Sequence, residues 1–119
     1  MNVAVIGASD KPDRYSYKAL MLLMEKGHNA YPVHQRIKII EGMSVYPSIK
    51  DIKDTLDTVS LYVAADISDT LAEDIIAKHP RRIIFNPGAE NPRLEDKARQ
   101  NGINPVNACT LVMLNTNQF

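Results

Sequence analysis

The stretch Val3-Ala4-Val5-Ile6-Gly7-Ala8-Ser9-Asp10-Lys11-Pro12-Asp13-Arg14-Tyr15-Ser16-Tyr17 is the one around which the chain is organised. Four apolar residues run into a glycine, a short polar loop follows, and a helical pattern then begins. A doubly wound α/β domain presents its first strand, phosphate loop and first helix in this order. The first turn of a helix leaves backbone N–H groups without partners, and the dipole places positive charge there, so an anion is favoured at that end.

Working outward, residues 2–7 form a strand whose apolarity is continuous rather than alternating, as expected for a strand covered on both faces. Ala19, Leu20, Leu22, Leu23 and Met24 give the following helix a broad apolar face, and Lys26-Gly27 ends it. Residues 28–34 read as a second strand with Ala30, Tyr31 and Val33 as its core; Pro32 removes a backbone donor and requires an edge position or a late kink. Residues 35–43 show no clean period and are expected to be a connection carrying Arg36 and Lys38, with Val45-Tyr46 as a small edge strand. Ser48-Ile49-Lys50-Asp51 suggests a short capped helix.

Residues 58–64 are β-branched and alternating, a strand; residues 68–78 follow as a helix with Leu71, Ala72, Ile75 and Ile76 on one side. Residues 82–85 give another strand, broken by Asn86-Pro87-Gly88. Asn91-Pro92 opens a last helix that Asn101-Gly102 closes, and residues 103–114 are expected to supply a final strand. Strands alternating with helices at this spacing make a Rossmann-like, doubly wound, mainly parallel sheet with helices on both faces, in a single domain covering residues 1–119.

Composition excludes several classes. With 14 basic and 14 acidic residues the chain is formally neutral, which argues against broad nucleic-acid or membrane binding. Cys109 is the one cysteine, so neither an internal disulfide nor a cysteine-paired zinc site is available. His28, His34 and His79 lack metal-ligand spacing. No charged-then-apolar leader and no membrane-length apolar run are visible, so a reducing cytoplasmic setting is expected.

Ligands of such sheets bind outside the carboxyl ends of the strands. Five strand ends carry small, polar or glycine residues: 7–16, 34–36, 64–66, 86–90 and 107–110. Turns need such residues in any case; their common position on one edge points to a binding crevice. The first loop has a single Gly7 where a dinucleotide fingerprint has three glycines, which weakens a nicotinamide reading. The second strand ends in His34 without an acid for a ribose hydroxyl pair, and Arg36 stands nearby instead. An arginine there suits a ribose phosphate, as in NADP or coenzyme A, and is equally an ordinary loop residue by type alone.

Taken together, Gly7-Ala8-Ser9, Pro12 and Ser16, then Tyr31-Pro32-Val33 with a basic residue after it, then Gly42 through Val45-Tyr46-Pro47-Ser48, and finally Asn86-Pro87-Gly88 with Cys109 form an ordered set. This set resembles the small coenzyme A-binding proteins, which are similar to the nucleotide-binding domain of the succinyl-CoA synthetase alpha subunit. The resemblance covers nearly the whole chain. It implies that Gly7, Ala8 and Ser9, with Arg14, Tyr15 and Ser16 at the helix start, hold a pyrophosphate. It implies too that Val33, His34 and Arg36 border the adenosine and its ribose phosphate, with Ala64 near the adenine and Asn86 and Gly88 on the same rim. The chain departs from the family's usual pair at His34-Gln35, and the synthetase's second, ligating domain has no counterpart in it.

Three readings follow: a binding module for coenzyme A or an acyl-CoA; an enzyme or enzyme subunit using NADP or an acyl-CoA, alone or with a partner chain; and an interaction subunit with a vestigial pocket. No catalytic set emerges. Cys109 lies among Ala108, Leu111 and Val112 with no base nearby and reads as a packing residue, and Asp66 and Glu90 read as loop acids. The binding module, taking a small nucleotide ligand, is therefore the expectation. A homo-oligomer or a partner subunit is left open.

Overall fold

The computed structural model describes residues 1–119. Five parallel strands, β1 (Asn2–Ile6), β2 (Asn29–Val33), β5 (Thr58–Leu61), β6 (Arg82–Phe85) and β7 (Asn104–Asn107), lie in the order β2-β1-β5-β6-β7. A separate antiparallel pair, β3 (Ile39–Ile40) and β4 (Met43–Ser44), stands apart from the sheet. Helices α1 (Tyr15–Glu25), α2 (Ala65–Ala77), α3 (Pro92–Gln100) and α4 (Thr110–Asn115) connect and cover it, with one 3-10 turn at Ile49–Asp51.

Alternate residues of each central strand face opposite layers. From β1, Ala4 and Ile6 join the larger core with Val59, Leu61, Ile83 and Phe85, covered by α2 and α3 through Ile75, Leu94 and Ala98. Val3 and Val5 face the other way, onto Leu20 and Leu23 of α1 and Leu114 of α4. Both faces of β1 are buried, so its apolarity is continuous. In β5 the second face carries Thr58 and Ser60, which explains the alternation there: Ser60 Oγ is within 2.8 Å of Thr110 Oγ1 and accepts from Asn86 Nδ2 at 3.0 Å. These two buried hydroxyls are tolerated because each has a partner.

Both strand prolines sit on sheet edges, Pro32 in β2 and Pro105 in β7. Pro32 directs its carbonyl outward, to Tyr46 N–H at 2.9 Å. Asn104 and Ala108 send their N–H groups inward to Arg81 and Phe85, leaving the Pro105 nitrogen on the outer side. Neither ring interrupts a ladder.

Four expectations need correction. Residues 35–43 are not all connection: Ile39–Ile40 and Met43–Ser44 pair across Glu41 (φ 47°) and Gly42 (φ 78°). Two successive positive φ values are what a two-residue hairpin turn of primed type requires, and two-residue strands are too short to show a period. Val45-Tyr46 makes no strand; Tyr46 alone bridges Val33 on the outer edge of β2. The strand expected over residues 58–64 ends at Leu61, and α2 begins at Ala65 rather than Ser68. The terminal segment divides into β7 and α4, because Thr110 N–H is captured by Asn86 Oδ1 at 2.8 Å and turns the chain back over the sheet.

Candidate nucleotide-binding groove

The chain leaves β1 in one direction through α1 to β2, then returns to β5 and proceeds the other way. The sheet therefore reverses between β1 and β5. At the carboxyl end beside that reversal lies an open groove of about 650 Å³, within the roughly 300–1,000 Å³ typical of small-molecule sites. Its floor is Ile6, Gly7 and Val33. One wall is the loop His34-Gln35-Arg36 with Pro47 to Lys50; the other is Val63 and the face of α2 carrying Asp66, Ile67, Thr70, Leu71 and Asp74.

Gly7 turns the chain out of β1 at φ 84°, and a Cβ there would stand 2.9 Å from Val63 Cγ1 and 3.1 Å from the Tyr62 carbonyl oxygen. Its N–H and that of Ala8 both donate to the Val33 carbonyl, at 3.1 and 3.3 Å, which ties the first loop to the end of β2. Only glycine combines that backbone angle with that close approach.

Beyond this loop α1 starts at Tyr15 with Arg14 as its N-cap, no side chain caps it, and no acidic residue occupies its first turn. Its first amides thus face outward without an internal acceptor, a disposition suited to an oxyanion. Ser9 Oγ accepts from Lys11 N–H at 3.1 Å and shapes the loop. Ala8 and Ser16 are buried, Tyr15 is 70% exposed, and Tyr17 packs on the α1 side of the sheet.

The chain's three ion pairs, Arg93–Asp69, Arg99–Glu95 and Arg99–Asp96, all lie on α2 and α3. Arg36 and Lys50 of the groove are in none of them. His34 Nδ1 accepts the N–H groups of Arg36 at 3.0 Å and Ile37 at 3.1 Å, which folds the loop on itself beside the groove.

Of the residues expected to bind a nucleotide, Gly7, Val33, His34 and Arg36 are brought together on this groove. Ser9, Arg14, Tyr15 and Ser16 belong to the adjoining loop and helix start, and Ala64 is the N-cap of α2. Asn86 and Gly88 lie at the end of β6 and do not line the groove. Asn86 is buried, its Nδ2 donating to Ser60 Oγ and to the Leu61 carbonyl at 2.8 Å and its Oδ1 accepting from Thr110, so its side chain is fully engaged inside the protein. Gly88 N–H donates to Glu90 Oε1 at 2.9 Å.

Sequence reasoning missed Lys50, Thr70 and Asp74. The last two repeat Asp66 at intervals of four, the spacing of one helix face; starting α2 three residues late hid that register. Lys50 carries no local signal, because the fold alone sets its turn against the groove.

Two further groups, Cys109 and Tyr62, lie outside the groove lining. Cys109 is half-buried as the N-cap of α4 and makes no capping bond. Tyr62 directs its hydroxyl towards Ser60 and Thr110, but these bond each other and leave it without a hydrogen-bond partner of ordinary geometry. Burial pushes this phenol up to about 12. No three His, Cys, Asp or Glu side chains gather as a metal site would need, and no helix is long and apolar enough to cross a membrane.

The fold and the sequence are both shared with known proteins. A hypothetical protein from Pyrococcus horikoshii OT3 superposes with a TM-score of 0.91 at 30% identity, covering 96% of this chain and 81% of that one. YneT, an uncharacterized protein of Bacillus subtilis (strain 168), is 28% identical over 74 residues, 62% of this chain and 55% of its own length. The alpha subunit of the ADP-forming acetate–CoA ligase II of Pyrococcus furiosus is 34% identical over 73 residues, which is 60% of this chain and 16% of the subunit. The chain thus aligns with about half of one curated relative and a small part of the other. The profile described as the CoA binding domain matches residues 1–115. With that match spanning nearly the whole chain, this protein belongs to the CoA-binding domain family, related to the subunits of nucleotide-forming acyl-CoA synthetases.

Proposed function

We propose that this protein binds coenzyme A or an acyl-CoA, with its pyrophosphate at the first loop and the start of α1 and its adenosine in the groove. The observation that carries the reading is the unpaired cation Arg36 at the end of β2, where a ribose-hydroxyl reader would place an acid. A ribose phosphate is the anion that suits it, and Lys50 on the same wall adds to the field. Val33 and His34 border the adenosine, Ala64 lies towards the adenine, and Asn86 and Gly88 shape the rim further along the sheet. Gly7, Ala8, Ser9, Arg14, Tyr15 and Ser16 form the pyrophosphate side. The chain holds its ligand without chemistry of its own, and the expected setting is cytoplasmic.

Isothermal titration with coenzyme A, dephospho-coenzyme A and NADP tests this. Coenzyme A binds best if the extra phosphate is read at Arg36; equal affinity for the first two removes that role. A second reading, an enzyme subunit that works with a partner chain on NADP or an acyl-CoA, draws on the likeness to the ligase alpha subunit. Tighter binding of NADP than of coenzyme A favours it.

A further inference from the structure

Two backbone N–H groups flank the side chain of Arg36 at its own residue and the next, and the imidazole of His34 is the acceptor of both, at 3.0 Å and 3.1 Å. No backbone carbonyl takes either one. Accepting two N–H groups at Nδ1 requires a lone pair there, so the ring carries its proton on Nε2. The ring thus behaves as an Asx side chain does in a turn, closing a small loop from the side chain to the backbone two and three residues on. The loop is pinned at both ends: His34 N–H donates to the Tyr46 carbonyl at 3.0 Å, and Ile37 packs on the cluster of Val5, Leu20 and Ile40. Arg36 is held between these two anchors on the wall of the groove.

We infer that His34 is a positioning residue, whose Nδ1 holds the loop in the form that presents Arg36 to the ribose phosphate of the ligand. This rests on the coenzyme A reading above and adds what sets its phosphate preference. A side chain acting this way needs an acceptor one bond beyond Cγ and nothing else. Asparagine supplies one, its Oδ1 occupying the place of Nδ1; alanine supplies none. A histidine that instead touched the ligand through Nε2–H would be replaced by neither.

The test uses the wild type, His34→Asn and His34→Ala, and measures two things. The first needs no ligand: amide hydrogen exchange at Arg36 and Ile37. Protection persists in His34→Asn and is lost in His34→Ala. The second is the ratio of affinities for coenzyme A and dephospho-coenzyme A by calorimetry. His34→Asn keeps the wild-type ratio within about twofold, whereas in His34→Ala the ratio falls by roughly tenfold or more, coenzyme A losing that much more affinity than dephospho-coenzyme A does. A merely structural role would weaken both ligands alike. The inference is overturned if His34→Ala keeps the ratio, or if His34→Asn loses it while its amides remain protected, which would make His34 a direct contact. A wild type that binds neither coenzyme refutes the coenzyme A reading itself. Exchange in the alanine variant then decides whether His34 holds the loop.

Discussion

Gly7 and Val63 meet at the reversal of the sheet, where a Cβ on Gly7 would stand 2.9 Å from Val63 Cγ1. The end of β1 and the loop after β5 are thereby held at glycine distance. Gly7→Ala therefore combines a left-handed backbone with a clash, and is expected to destabilise the protein by about 1–3 kcal/mol. Because Gly7 is also part of the groove floor, nucleotide affinity falls with it. Urea denaturation and calorimetry on the same sample check both; a variant of unchanged stability would refute the close approach.

Arg36→Ala is expected to cost coenzyme A about 1.5–3 kcal/mol, roughly tenfold to a hundredfold in affinity, and to leave dephospho-coenzyme A nearly unchanged. Lys50→Ala should act in the same direction by less, since a lysine offers a point charge rather than a planar fork. Parallel titrations of the two ligands read the difference.

Asn86→Ala takes one hydrogen bond each from Ser60 Oγ and the Leu61 carbonyl and strips the Thr110 N–H of its acceptor, all in the buried layer between β5, β6 and α4. Losing these three buried bonds and leaving the Thr110 amide unsatisfied should cost about 2–4 kcal/mol. Amide exchange should report α4 first, with Thr110 losing protection before the β1 strand does.

Cys109 stands at the N-cap of α4 with extended backbone (φ −100°, ψ 118°) and no capping bond. Cys109→Ser places a good capping oxygen there and should hold or raise stability, by up to about 1 kcal/mol, with coenzyme A affinity unchanged. A loss of affinity would instead reveal a role for the thiol in binding.

Tyr31 and Tyr62 govern the alkaline limit. The Tyr31 hydroxyl donates to the Asp54 carboxylate at 2.6 Å, and that bond, foremost, lifts its phenol to about 12. Burial does the same for Tyr62. Both values lie above the ordinary 10, so the folded state retains protons that the unfolded chain releases. The associated stability is whole below pH about 10 and is lost as pH rises towards 12. An absorbance titration of tyrosinate should show these two phenols ionising late and together with unfolding. All five tyrosines titrating near 10 in an intact fold would contradict it.

Where the sequence was legible, a local rule and the global fold agreed. The apolar run of β1 ending at Gly7, the Asn91-Pro92 start of α3 and the edge position of Pro32 are each dictated by a residue's own geometry. The hairpin of β3 and β4 was not legible, because two-residue strands have no period and Glu41 adopts a positive φ that its type does not advertise. The division of residues 103–114 into β7 and α4 was hidden for a different reason: the signal lies in Asn86, 24 residues away from the Thr110 amide it captures.

The first loop shows the same division at the site. The residues from Val3 to Tyr17 by themselves determined a strand, a glycine turn and a helix start, because backbone sterics and helix ends act within a few residues. They determined nothing about what faces them. That Gly7 lies against Val63, that Val33 ties the loop to β2, and that Arg36, Lys50 and the acidic face of α2 enclose one groove was decided by the tertiary structure alone. Strand order brings those segments together, and strand order follows from long-range packing of both buried faces of β1, which no local stretch encodes.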